Sequence, residues 1–122
     1  MTTKPARESL VLACVFFRTS SGAQPVRDWL KDDIAEGARK TIGADLKTVQ
    51  TTWPIGRPLV GSLGDGLWEV RSTYEKVEYR TVFYLDGSTM VLVHGFQKRT
   101  QRTPTRDLDL ARQRKAEAER AR

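Results

Sequence analysis

The sequence predicts an α+β fold in the order strand, helix, helix, three-strand meander, C-terminal helix. Three observations predict it. Residues 10–17, LVLACVFF, are all apolar and mostly branched or aromatic, the composition of a strand. Residues 34–53 carry an apolar stripe at helical spacing, and residues 66–96 hold alternating segments joined by a turn signal, the pattern of a meander. With 122 residues, 39% of them hydrophobic, the chain has material for one core. A single domain over 1–122 is expected, with residues 1–9 and about 113–122 flexible.

The first strand, LVLACVFFR (10–18), has no polar alternation and reads as buried on both faces. TSSGAQ is a turn cluster, and Pro25 suits the first position of a helix. In PVRDWLKDD, Val26, Trp29 and Leu30 share one side. Ile34, Ala38, Ile42, Leu46, Val49 and Trp53 then form one stripe on a second helix. Gly37 and Gly43 each weaken that helix by about 1 kcal/mol relative to alanine, so packing must hold it. The prolines of WPIGRP end it.

Three strands follow. GLWEVRS (66–72) sets Trp68 and Val70 against Leu67, Glu69 and Arg71. EYRTVFYLDG (78–87) alternates likewise, and Asp86-Gly87 is a two-residue hairpin signal into STMVLVHGF. GSLGDG (61–66) reads as a plain loop; it lacks the lysine of a phosphate-binding loop and precedes a strand. The tail, TRDLDLARQRKAEAERAR, is rich in helix formers, with Leu108, Leu110 and Ala111 as its apolar side. Helices covering one face of the meander would leave the other partly open, and function is expected there.

Charge narrows the classes of function. The net charge is +6, and from Phe96 to Arg122 nine lysines and arginines stand against four acids. Basicity gathered at one end favours nucleic acid or an acidic protein as partner. The single cysteine, Cys14, excludes an intrachain disulfide and a cysteine-rich zinc site, and within its apolar run it reads as a buried, inert thiol. One histidine gives no metal-ligand spacing, so no metal and no cofactor are expected. Neither a serine-nucleophile motif nor a phosphate-cradling glycine loop occurs. The apolar run is too short to span a bilayer, and MTTKPARES lacks the hydrophobic core of a signal peptide. No membrane association and a cytoplasmic location are expected.

The candidate chemistry lies in cations carried by strands. Arg71 and Arg80 occupy the first and second meander strands, and Lys98 follows the third, with Arg99 adjacent. In an antiparallel meander these converge. Three such cations repel one another unless an anion sits among them, and the arginine fork suits phosphate oxygens. The crowding is expected to help Lys98 in proton transfer. A pairing of Arg71 with Glu69 on the same face is the simpler structural reading. His94 reads more readily as a hydrogen-bonded strand residue than as an acid or base. Of the nearby aromatics Trp68, Tyr74, Tyr79, Tyr84 and Phe96, most are expected in the core, with one or two free to stack bases of single-stranded nucleic acid.

LGDGLWEVRS, YRTVFY and VLVHGFQKRTQRTP, in that order and spacing, resemble the RelE/ParE toxin superfamily, closest to its HigB-like, phage-encoded branch. The resemblance covers residues 10 to about 112. It implies a RelE-like fold, with two N-terminal helices packed on a mostly antiparallel twisted sheet. It implies the toxin of a type II toxin–antitoxin system, a metal-independent mRNA endoribonuclease acting on the ribosome and neutralised by a cognate, HigA-like antitoxin, in some systems a helix-turn-helix protein. Carried over by motif, Arg71, Arg80 and Lys98 would surround the scissile phosphate, with His94 a weaker candidate. Arg99 stands where the family usually has a second lysine. Arg99, Arg102, Arg106 and Tyr84 would contact RNA or the ribosome. A ParE-like inhibitor of gyrase and a non-catalytic RNA-binding module are the alternatives.

Overall fold

The computed structural model describes residues 10–122; the expected frayed start, residues 1–9, lies outside the described residues. The elements are β1 (Ala13–Phe16), α1 (Pro25–Asp28), α2 (Glu36–Thr52), β2 (Val60–Gly64), β3 (Leu67–Tyr74), β4 (Val77–Asp86), β5 (Thr89–Lys98) and α3 (Thr105–Ala121). The sheet order is β1-β5-β4-β3-β2. Strands β2 to β5 pair antiparallel, while β1 lies parallel to β5. The fold is α+β, with a five-stranded mixed sheet and three α-helices.

Pro25 opens α1, which continues as a single π-helical stretch, Trp29–Asp33. Its Trp29 lies on β5 at Gly95, where a Cβ would come within 2.3 Å of the indole. Only glycine allows that approach. Helix α2 buries Ala38, Ile42, Leu46 and Val49, each large apolar one contributing about 1.5–3 kcal/mol relative to exposure. That more than offsets the two glycines. Ile34 and Trp53, the ends of the expected stripe, flank the helix rather than belong to it. The α2 stripe packs on Val60, Val70, Tyr79, Phe83, Met90 and Leu92 from one face of the sheet.

Three expectations change. Strand β1 is an edge strand, not a doubly buried one: Val15 and Phe16 are exposed, and only Leu12 and Phe17 of the apolar run are buried. Hydrophobic content alone cannot distinguish an edge from a centre. Residues 61–66 do not form a plain loop. Val60–Gly64 makes strand β2, and Gly64, Asp65 and Gly66, all with positive φ, turn it into β3. The meander therefore has four strands.

The second face of the sheet is open only in part. Helix α3 covers much of it, burying Ala111 against Phe17, Leu67, Val82, Tyr84, Val91 and Val93. Residues 113–121 continue α3, the helix expected there, and Arg122 reaches Asp86 Oδ1 at 2.8 Å.

Candidate functional site

Past the start of α3, the same face of β3, β4 and β5 stays open. A groove of about 760 Å³ lies there, with Arg71, Lys76, Arg80, Lys98 and Arg99 facing two carboxylates, Glu69 and Glu78. Strand register brings these residues together. Arg71 pairs with Arg80 across β3 and β4, and Glu78 pairs with Lys98 across β4 and β5. Directly paired residues project to the same face, so three neighbouring strands each present a cation.

The bulge in β5 makes this possible. Phe83 pairs with Leu92 but Val82 pairs with His94, so Val93 is an extra residue. Because side chains alternate with a period of two, one inserted residue exchanges the faces of everything beyond it. Before the bulge, Val91 and Val93 pack beneath α3. Beyond it, His94, Phe96 and Lys98 take that face. In an unbulged β5, Lys98 would point toward α2, away from Arg80.

The arginines are compensated, contrary to the expectation of a bare cationic cluster. Glu69 Oε2 lies 3.2 Å from Arg71 Nε and 3.4 Å from Arg80 Nε, and Glu69 Oε1 accepts from Thr103 Oγ1 at 2.8 Å. Arg80 also donates from Nη2 to Glu78 Oε1 at 3.1 Å and from Nη1 to the Tyr79 carbonyl at 3.3 Å. The Arg80–Glu69 contact is a close charge approach rather than an aligned hydrogen bond. With the Arg80 side chain only 8% exposed and that of Glu69 4%, each charge needs the other. Arg71 differs. Its side chain is 31% exposed and crosses β2 over Gly61, where a Cβ would stand 2.5 Å from its Nη2. Five cations against two carboxylates leave the groove positive.

The family described as "Phage derived protein Gp49-like (DUF891)" matches residues 28–116, from the end of α1 through most of α3. The chain belongs to this family. It is a RelE-type, toxin-like family. No curated protein matches the chain.

In this Gp49-like chain His94 does not enter the groove. Its Nε2 lies 2.6 Å from Asp107 Oδ1, its Nδ1 lies 3.4 Å from Arg114 Nη1, and its ring stacks on Phe96 at 5.4 Å. Burial holds the imidazole below its ordinary pKa, against the opposing pull of Asp107. These contacts tie α3 to β5 and fit the structural reading of His94. Tyr84 lies beneath α3, 2% exposed, with Lys115 over its ring at 5.6 Å, and burial raises its phenol pKa. In this conformation it offers no face to a base. Arg102 and Arg106 are exposed, on the connection to α3 and in its first turn, outside the groove lining.

Two charged groove residues of the Gp49-like chain escaped the sequence reading, Lys76 and Glu78. Lys76 sits in a two-residue hairpin in which both Glu75 (φ 50°) and Lys76 (φ 69°) are left-handed. Such turns favour Asn-Gly, so Glu-Lys gave no signal. Glu78 could have been found from its spacing of two before Arg80. Among the described residues, no cluster of three or more His, Cys, Asp or Glu side chains comes together as a metal site. Among the described residues, no helix is long and apolar enough to cross a membrane.

Proposed function

We propose that this protein is a HigB-type toxin of a type II toxin–antitoxin system, with the RelE-like arrangement, and that it cleaves translated mRNA on the ribosome. The observation that carries the reading is the groove. Arginine and lysine side chains from three adjacent strands converge on one open, net-positive site in a chain of a RelE-type family.

In the reaction, the ribose 2′-hydroxyl attacks its own 3′ phosphate. Arg71 and Arg80 stabilise the charge that builds on the phosphoryl oxygens; fixed donors of this kind act without reorganising during the step. Lys98 stands across from them at the end of β5, where it serves the leaving oxygen as a charge or proton donor. No metal takes part. Arg99, Arg102 and Arg106 extend the positive surface past the groove toward ribosomal RNA, whose phosphates give salt-sensitive binding. A HigA-like antitoxin is the cognate partner, and the toxin acts in the cytoplasm.

The test is to induce the protein in cells and map mRNA 5′ ends. Codon-phased cuts in translated messages are expected, and they should vanish with Arg71→Ala and with Lys98→Ala. These two are better probes than Arg80→Ala, because Arg80 is buried. Intact messages with arrested DNA replication would instead favour a gyrase inhibitor. RNA binding without cleavage at any ribosome concentration would leave a binding module.

A further inference from the structure

Cleavage through the 2′-hydroxyl needs a group that takes the hydroxyl proton. The groups expected to do so from sequence are poorly placed. His94 has Asp107 and Arg114 at its two ring nitrogens and lies outside the groove lining. Lys98 Nζ donates to the Gln101 carbonyl at 2.5 Å, and an ammonium has no lone pair with which to accept.

Two carboxylates remain, and the structure separates their roles. Glu69 is buried with both oxygens engaged, Oε2 by the two arginines and Oε1 by Thr103. It has no room for substrate. The Glu78 side chain is 52% exposed, and only its Oε1 is held, by Arg80 Nη2 at 3.1 Å. Its register partner is Lys98. Glu78 therefore stands between the cation that would neutralise the phosphate and the cation at the far side of the groove.

We infer that Glu78 is the general base of the reaction, its carboxylate accepting the ribose 2′-hydroxyl proton while Arg80 holds it in place. This rests on the nuclease reading above. The step balances without a co-reactant. The 2′-oxygen forms a bond to phosphorus as its proton passes to Glu78. The bond from phosphorus to the 5′-oxygen breaks, and that oxygen takes a proton from the Lys98 ammonium. The products are a 2′,3′-cyclic phosphate and a 5′-hydroxyl end. Glu78 and Lys98 then exchange protons with water to reset the site. Arg80 has two tasks, since the guanidinium that stabilises the phosphoryl oxygens also fixes the base. That accounts for its burial and for its anchoring by Glu69.

The experiment is single-turnover cleavage of mRNA on programmed ribosomes by wild type and Glu78→Gln, across pH, with RNA and ribosome binding measured alongside. Glutamine keeps an oxygen for Arg80 Nη2 but accepts no proton. A fall of about 10²–10⁴-fold in the single-turnover rate constant is expected, with binding unchanged or tighter, and any acid-side fall in the wild-type rate should be absent from the variant. The melting temperature of the variant serves as the folding control. Cleavage by Glu78→Gln within about threefold of wild type would overturn the assignment and leave the nuclease reading intact. A slower variant that keeps the wild-type acid-side fall would also overturn it, reducing Glu78 to a positioning residue for Arg80. If wild type cleaves nothing, the nuclease reading fails and the assignment fails with it.

Discussion

Glu69 and Arg80 form a buried ion pair on neighbouring strands, 3.4 Å apart, with each side chain less than a tenth exposed. Arg71 and Thr103 share the same carboxylate, so one residue of β3 orders both arginines of the groove and anchors the connection between β5 and α3. This arrangement separates residues whose loss should unfold the site from residues whose loss should only silence it.

Removing Glu69 leaves Arg80 buried with only the exposed Glu78 to balance it. Glu69→Ala is expected to lower the unfolding free energy by roughly 3 kcal/mol, the size typical of a broken buried pair. The urea midpoint at unchanged slope measures it. A loss below about 1 kcal/mol would show that Glu78 alone suffices.

Arg71 should behave differently from Arg80. Arg71→Ala removes a part-exposed side chain and is expected to cost under about 1 kcal/mol in stability, while cleavage falls by about 10²–10³-fold. Arg80→Ala should lose both, by urea melts and single-turnover rates respectively. Equal stability losses for the two variants would contradict the burial difference between them.

Gly61→Ala tests the position of Arg71 without removing its charge. A new Cβ would meet Arg71 Nη2, and the guanidinium must shift to make room. Cleavage should fall with little change in melting temperature, and RNA binding should keep its salt slope because no cation is lost. An unaltered cleavage rate would mean that the Arg71 placement over β2 is not needed.

The single histidine gives a pH signature. Burial lowers the His94 pKa from its ordinary 6.5. Once pH falls through that value, the unfolded chain takes up a proton that the native chain still refuses. The unfolded state then binds more protons, so stability must fall with falling pH. Wild type is expected to melt at a lower temperature at pH 5.5 than at pH 7.5, and His94→Gln should flatten that difference. A wild-type melting temperature that is higher at pH 5.5 than at pH 7.5 would mean that Asp107 outweighs burial.

Cys14 offers a check on the β1 edge. Burial pushes its thiol pKa up to about 11, although it lies on an edge strand, so the reactive thiolate is scarce at pH 8. Labelling by a disulfide reagent should be slow in the native protein and fast in urea. Rapid native labelling would show that β1 opens readily.

Alternation in 66–72 and 78–87, the Asp86-Gly87 turn and the apolar stripe of α2 all act over a few residues, so they were legible without tertiary contacts. The same holds for Arg71, Arg80 and Lys98 as members of one groove, because adjacent strands of a meander bring their residues together. Lys76 was not legible, since a left-handed Glu-Lys turn carries no glycine or asparagine to mark it. Strand β2 was hidden because Gly61, Ser62 and Gly64 break any alternation.

By itself the sequence determined the mixture of helix and strand, the positive end of the chain and the three strands that carry its cations. Tertiary structure decided which face each side chain takes and what accompanies it. The one-residue bulge at Val93 put Lys98 beside Arg80, since a shift of one reverses every later side chain. Burial then turned Glu69 from a surface acid into the anchor of both arginines, because a charge removed from water must find its opposite nearby. Helix α3, packed on the face expected to be partly open, left the end of the sheet for the groove. That same packing drew His94 into the α3 contact and left Glu78 as the exposed acid beside Arg80.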